Sequence, residues 1–112
     1  MEKTKSKKAV IYTRGESETE QKLLCYFYAS DNDIDVLFET NDIDEVADCE
    51  ECEIMLVAKP NRISRDKFEY YQILNALKAR GIEVVFTATE ESAERFVEFM
   101  MRDLVKRDKV KL

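Results

Sequence analysis

The sequence predicts an α/β fold of three layers: a mainly parallel four-stranded sheet with helices on both faces. Three observations predict it. Four short apolar runs, AVIYT, IDVLFE, EIMLVA and IEVVFTA, recur along the 112 residues. Stretches with helical signals separate and follow them, as expected for buried strands joined by helical crossovers. Only two glycines and one proline occur, so little of the chain reads as loop or low complexity. Strands that alternate with helices run parallel, are joined by right-handed crossovers and are covered on both faces.

The elements follow in order. Ala9 to Thr13 is short, apolar and β-branched, which fits a buried first strand. Glu18 to Ala29 carries Leu23, Leu24, Phe27 and Tyr28 near helical spacing, and Ser17 with Glu20 three residues on fits a capping box. Ile34 to Glu39 is the second strand, and Asp42 to Asp48 a short helix or turn. Glu53 to Ala58 is the third strand, closed by Pro60. Arg65 to Arg80 reads as a helix with Phe68, Tyr71, Leu74 and Leu77 near one face, its aromatics packing in the core or on a partner, and Gly81 as its stop. Ile82 to Ala88 is the fourth strand. Glu90 to Lys106 is a terminal helix whose stripe of Phe96, Val97, Met100, Met101 and Leu104 is wide. That stripe either covers its own sheet or, where exposed, meets a second copy. The chain reads as one domain over residues 1–112, with no linker and no internal repeat.

Charged residues make up 38% of the chain and apolar residues 45%. That balance fits a single core under a well-solvated surface. No apolar run approaches the roughly 20 residues that span a bilayer, and the basic N-terminus does not lead into a signal peptide. The expectation is a cytoplasmic protein without a membrane partner. The net charge of −6 is unevenly spread: Asp31 to Glu53 holds 11 acidic residues and no Lys or Arg. Such a segment is either a solvated face or a surface that repels nucleic acid and meets a basic partner. Three cysteines and no histidine are present. The Cys49–Cys52 pair supplies only two of the four ligands a zinc site needs, and it precedes a strand rather than a helix. Free, reduced thiols and no metal are expected.

The functional signal lies in two turns. Ligands in parallel sheets bind at the C-terminal strand ends. The first strand ends at Thr13-Arg14, and the third ends in KPNRISRD, Lys59 to Asp66. Arg62 and Arg65, three apart, suit a phosphate or carboxylate clamp, with surface ion pairing to Glu or Asp as the plainer reading. Ser17 at a helix start is a candidate nucleophile, and a cap residue on the plainer reading. Arg14, Ser17, Arg62 and Arg65 around one crevice would suit phosphoryl transfer, with arginines neutralising a phosphodiester. The positions of a CheY-like receiver's acidic residues are basic here, which disfavours that alternative.

The order YTR-GE-SETEQ, then a strand, then KPNRISRD, then GIEVVF, resembles the serine recombinase catalytic domain of the resolvase/invertase family. The resemblance spans roughly residues 9–89. It implies a resolvase-like fold, with Ser17 matching the nucleophile because Ser17 and Gln21 keep the S-x-x-x-Q spacing. Arg14, Arg62 and Arg65 match the family's catalytic arginines, and Tyr12, Gln21 and Asn61 its substrate-binding positions. The implied chemistry is attack on a DNA phosphate, a 5′-phosphoserine link, strand exchange in an oligomer and religation, with neither metal nor small-molecule cofactor. The chain departs from the pattern at four places. Arg14 lies three residues before Ser17 rather than two, Glu16 puts a carboxylate beside it, and Asn61 replaces an aspartate. The acidic segment also stands where the family places a further arginine. No helix-turn-helix reader is recognisable. The expectation is a resolvase-like domain with weakened or lost cleavage, weak contact with the DNA phosphate backbone and a homo-oligomeric, dimeric state. The alternative is a non-catalytic oligomerisation or protein-interaction module on the same fold.

Overall fold

The computed structural model describes residues 6–88. In chain order they form β1 (Lys8–Tyr12), α1 (Glu18–Asp31), β2 (Asp35–Thr40), α2 (Ile43–Asp48) and β3 (Ile54–Val57). A 3-10 turn (Pro60–Arg62), α3 (Lys67–Ala79) and β4 (Glu83–Phe86) follow. The strands make one sheet in the order β2-β1-β3-β4, and every pair is parallel. The expected α/β architecture is therefore present, with a sheet that is wholly rather than mainly parallel. The terminal helix expected over Glu90 to Lys106 lies outside the described residues.

Alternation along β1 and β3 divides the core in two. Ala9, Ile11, Ile54 and Leu56 pack with Cys25 and Ala29 of α1 on one face. Val10, Tyr12, Met55 and Val57 pack with Val46 of α2 and Leu77 of α3 on the other. Both central strands are thus apolar at successive positions, as strands covered on both faces must be. The helices sit α1 on one side, α2 and α3 on the other, so the chain winds outward from β1 in both directions.

The edge strand β2 contains an irregularity with consequences at the rim. Ala9 pairs with Val36 but Val10 pairs with Phe38, leaving Leu37 as an extra residue. A bulge of this kind flips the side-chain alternation beyond it. Glu39 consequently meets α1, where the Tyr26 hydroxyl donates to it and the Lys22 ammonium lies 3.1 Å away. The hydrogen bond, with burial, pushes the Tyr26 hydroxyl up to about 12, and the same bond together with Lys22 holds Glu39 below its usual range against the opposing effect of burial. Thr40 turns to the opposite face, where its hydroxyl donates to Glu45 of α2.

Helix α3 corrects one expectation. Its inner face is Tyr70, Ile73, Leu74 and Leu77, whereas Phe68 and Tyr71 are 72% and 60% exposed. The reason is rotational. A strict three-residue spacing drifts about 60° per step in a helix of 3.6 residues per turn, so Phe68 lies about 180° from Leu77. The helix also begins at Lys67 rather than Arg65, because Asp66 caps it by accepting from the Phe68 N–H at 3.0 Å. Asp66→Ala is expected to lower stability by about 1 kcal/mol, measurable as a shift of the urea midpoint.

All eleven acidic side chains of residues 31–53 are exposed. Glu39 pairs with Lys22 and Glu51 with Lys8, the latter at 3.9 Å. That supports a solvated face as the plain reading of the charge run. The cysteines are free: Cys25 and Cys52 are buried and Cys49 is half-buried. Burial pushes the Cys25 thiol up to about 11, although its 3.5 Å contact with the Thr87 hydroxyl opposes the rise. Burial also raises Cys52. Iodoacetamide near pH 8 is therefore expected to label Cys49 first in native protein, read by mass spectrometry. The folded thiol of Cys25 keeps its proton where the unfolded one loses it, so its contribution falls as pH rises from about 9 to 11.

Candidate functional site

In a doubly wound sheet the crevice opens where neighbouring strands send their connections to opposite faces, at the carboxyl ends. Here those strands are β1 and β3: α1 leaves β1 toward one face and α3 leaves β3 toward the other. The two loops above them are residues 13–17 and 59–66, and they interlock. Arg14 Nη1 donates to the Ile63 carbonyl at 3.1 Å, and Arg62 Nη1 donates to the Arg14 carbonyl at 3.4 Å. Between them Gly15 takes φ +82°, and a Cβ there would stand 3.0 Å from Arg62 Nη1. Glycine serves this turn for both reasons.

Gln21 fixes the first loop. Its side chain is 3% exposed, its Nε2 donates to the carbonyls of Arg14 (3.0 Å) and Glu16 (2.7 Å), and its Oε1 accepts from the Arg14 N–H (3.2 Å). Gln21, matched in sequence to a substrate-binding position, here spends its amide on clamping the loop. Tyr12 is likewise 3% exposed and packs in the core beneath α2 and α3, away from the crevice.

Ser17 precedes α1 but does not cap it. Its backbone is left-handed, at φ 61° and ψ 41°, and its side chain makes no cap hydrogen bond. Capping serines adopt extended backbone and turn the hydroxyl onto the first turn, so the expected capping box does not form. Its carbonyl accepts from the Gln21 N–H at 3.0 Å, which ties the residue to the clamp. A left-handed serine costs about 1–2 kcal/mol and is a type of strain that gathers at functional sites. The side chain is exposed.

The crevice between the loops has a volume of about 400 Å³. Arg14, Asn61, Arg62 and Arg65 line it, together with Gly15, Ser64, Asp66 and Glu69. Ser17 and Tyr12 are not in its lining. The turns thus converge and bring the three arginines together, but the hydroxyl stands outside the arginine-lined space. Arg62 Nε is buried and has no hydrogen-bond partner among the described residues. An unmet guanidinium donor at the wall of a cationic crevice is suited to an anionic acceptor. The two carboxylates are already engaged: Asp66 caps α3, and Glu69 accepts from the Ser64 hydroxyl at 2.6 Å. Glu69 was not anticipated from the sequence, because the arginine motif ends before the helix turn that carries it, and Ser64, though inside the motif, was not singled out there.

The rim is electrically asymmetric. The Thr13 N–H donates to the Thr40 carbonyl at 3.0 Å, which seats the end of β2 and the start of the exposed acidic α2 beside the first loop. Thr13 Oγ1 also donates to Glu18 at 3.2 Å. The three arginines therefore stand over β1 and β3, beside the engaged Asp66 and Glu69, while the end of β2 and the start of α2 carry carboxylates and no Lys or Arg. Among the described residues, no group of three or more His, Cys, Asp or Glu is placed to hold a metal ion. No helix among them is long and apolar enough to cross a membrane.

The sequence model of the resolvase N-terminal domain matches residues 14–108. Among the solved structures that share the fold are three catalytic domains or recombinases. A resolvase family site-specific recombinase from Streptococcus pneumoniae is 16% identical, with 93% of each chain covered and a TM-score of 0.64. The C-terminal catalytic domain of ISC1926 TnpA, an IS607-like serine recombinase, is 17% identical, with 88% of this chain and 82% of that one covered and a TM-score of 0.62. The N-terminal catalytic domain of TP901-1 integrase is 19% identical, with 91% and 98% covered and a TM-score of 0.60. No curated protein matches the sequence.

Proposed function

The chain belongs to the resolvase N-terminal domain family, and from that premise we propose that its β1/β3 crevice binds a DNA phosphodiester that Ser17 attacks slowly. The observation that carries this reading is the interlock of the two loops, which lines one crevice with Arg14, Arg62 and Arg65 and leaves Arg62 Nε unpartnered. The three guanidinium groups would neutralise charge on the phosphate as it becomes five-coordinate. Asn61 would hydrogen-bond a non-bridging oxygen.

In the step itself the Ser17 Oγ–P bond forms and the P–O3′ bond breaks, giving a 5′-phosphoserine and a free 3′-hydroxyl. The serine proton leaves to solvent, and the departing 3′ oxygen takes one up. No metal or small-molecule cofactor enters. Cleavage is slow because Ser17 must move toward the crevice, and Glu16 brings a carboxylate along the same approach. The crevice holds the strand through its phosphates, weakly, in a homodimer in the cytoplasm. DNA affinity falls steeply with salt on this reading.

A nicked suicide duplex tests it. A small covalent fraction should accumulate at low salt, with the phosphoserine on the Ser17 peptide by mass spectrometry. DNA that binds but leaves no adduct at any ionic strength would contradict the cleavage step. The second reading, a non-catalytic interaction module, would then stand. Its specific support is that Ser17 lies outside the crevice lining while Glu39, Asp42, Asp44 and Glu45 of the acidic segment are exposed near the same rim.

A further inference from the structure

Beside the arginine crevice lies a second groove of about 410 Å³, and the two share Asn61, Ser64 and Arg65. Lys67, Tyr70 and Tyr71 complete its working wall. Tyr71 is 60% exposed, and Phe68, three residues earlier on the same side of α3, is 72% exposed. Tyr70 is half-buried in the core and meets the Tyr71 ring edge-to-face, with centroids 5.4 Å apart and planes at 69°. A buried neighbour thereby holds an exposed ring in place. No carboxylate lines this groove, unlike the crevice next to it.

We propose that the groove takes an unpaired base of the strand whose phosphate the arginine crevice holds. The inference rests on the phosphate reading above and adds a substrate class to it, namely DNA with a locally unpaired nucleotide. A fixed aromatic face flanked by cations is the arrangement that binds single strands: bases stack on the ring, and adjacent phosphates meet Arg65 and Lys67. A base within an intact duplex is already stacked on both faces and cannot reach Tyr71. An apolar peptide would bring nothing to meet the two cations. Continuity with the crevice sets the order along the strand, phosphate at Arg62 and base at Tyr71, with Arg65 common to both.

The test compares three labelled DNAs by fluorescence anisotropy: an intact duplex, the same duplex with one unpaired thymine, and one with an abasic bulge. Wild type is expected to bind the thymine bulge about tenfold tighter than the other two. Tyr71→Ala should bring that ratio to within about twofold, and Tyr71→Phe should keep it. Arg62→Ala should weaken all three DNAs by a common factor. Absence of the thymine preference in wild type, or its survival in Tyr71→Ala, overturns the groove assignment while the Arg62 effect leaves the phosphate reading intact. An Arg62→Ala protein that binds all three like wild type overturns the phosphate reading beneath it. A Tyr71→Ala change in sedimentation coefficient without any change in DNA preference would make the ledge a self-association surface instead, and so overturns the proposal.

Discussion

Ser17→Ala is expected to abolish the covalent DNA adduct while leaving DNA affinity within about threefold of wild type, since phosphate contacts set affinity. The substitution removes the only atom that bonds to phosphorus in the proposed step, and Ser17 does not line the crevice that holds the phosphate. It should leave stability nearly unchanged, because the side chain makes no cap hydrogen bond that could be lost. A capping serine would behave differently, losing about 1 kcal/mol on the same change. Ser17→Gly separates the roles further. Glycine accepts φ 61° without a Cβ clash, so that variant should be more stable by about 1 kcal/mol, yet equally unable to form the adduct. Urea denaturation and adduct yield together read both quantities on the same three proteins.

Gln21→Ala should be the most damaging polar substitution near the site. It leaves the Arg14 N–H and the carbonyls of Arg14 and Glu16 without the partner that joins them. Unmet backbone groups cost about 1–3 kcal/mol each where water is excluded. The loop is otherwise exposed and can be partly rehydrated, so a total loss of about 2–3 kcal/mol is expected. The same loop supplies the Arg14 carbonyl that Arg62 donates to, so the second loop should loosen with it. Adduct formation should fall along with stability. Gln21→Glu should fare no better, because an ionised carboxylate cannot donate to the two carbonyls. A Gln21→Ala protein as stable as wild type would remove the clamp from the account.

Much of the architecture was legible because the two central strands, β1 and β3, are buried on both faces. Ala9 to Tyr12 and Ile54 to Val57 contain no polar position except Tyr12's hydroxyl, and a helical stretch follows each. The convergence of the two basic turns was legible for a related reason: parallel topology sends all carboxyl ends to one rim. Three features were not. Phe68 and Tyr71 fit an apolar spacing of three, but such a row spirals around a helix, and only the position of Leu77 against the sheet tells which part is inside. Ser17 with Glu20 fits a capping box, yet the turn at Gly15 and the pull of Gln21 on the loop fix Ser17 in a left-handed conformation that precludes it. Gln21 reads in sequence as part of the S-x-x-x-Q motif, a match to a substrate-binding position. Its burial depends on the loop folding back over α1, a contact between residues five and seven apart that periodicity does not encode.

The central claim is that the β1/β3 crevice is where an anionic phosphate binds. Titration of the protein with inorganic phosphate, followed by backbone amide NMR, tests it most directly. The account predicts saturable shifts concentrated at residues 14–17 and 61–66, lost in Arg62→Ala and suppressed by high salt. Shifts spread evenly over surface lysines, or centred on another part of the sheet with residues 14–17 and 61–66 silent, would contradict it.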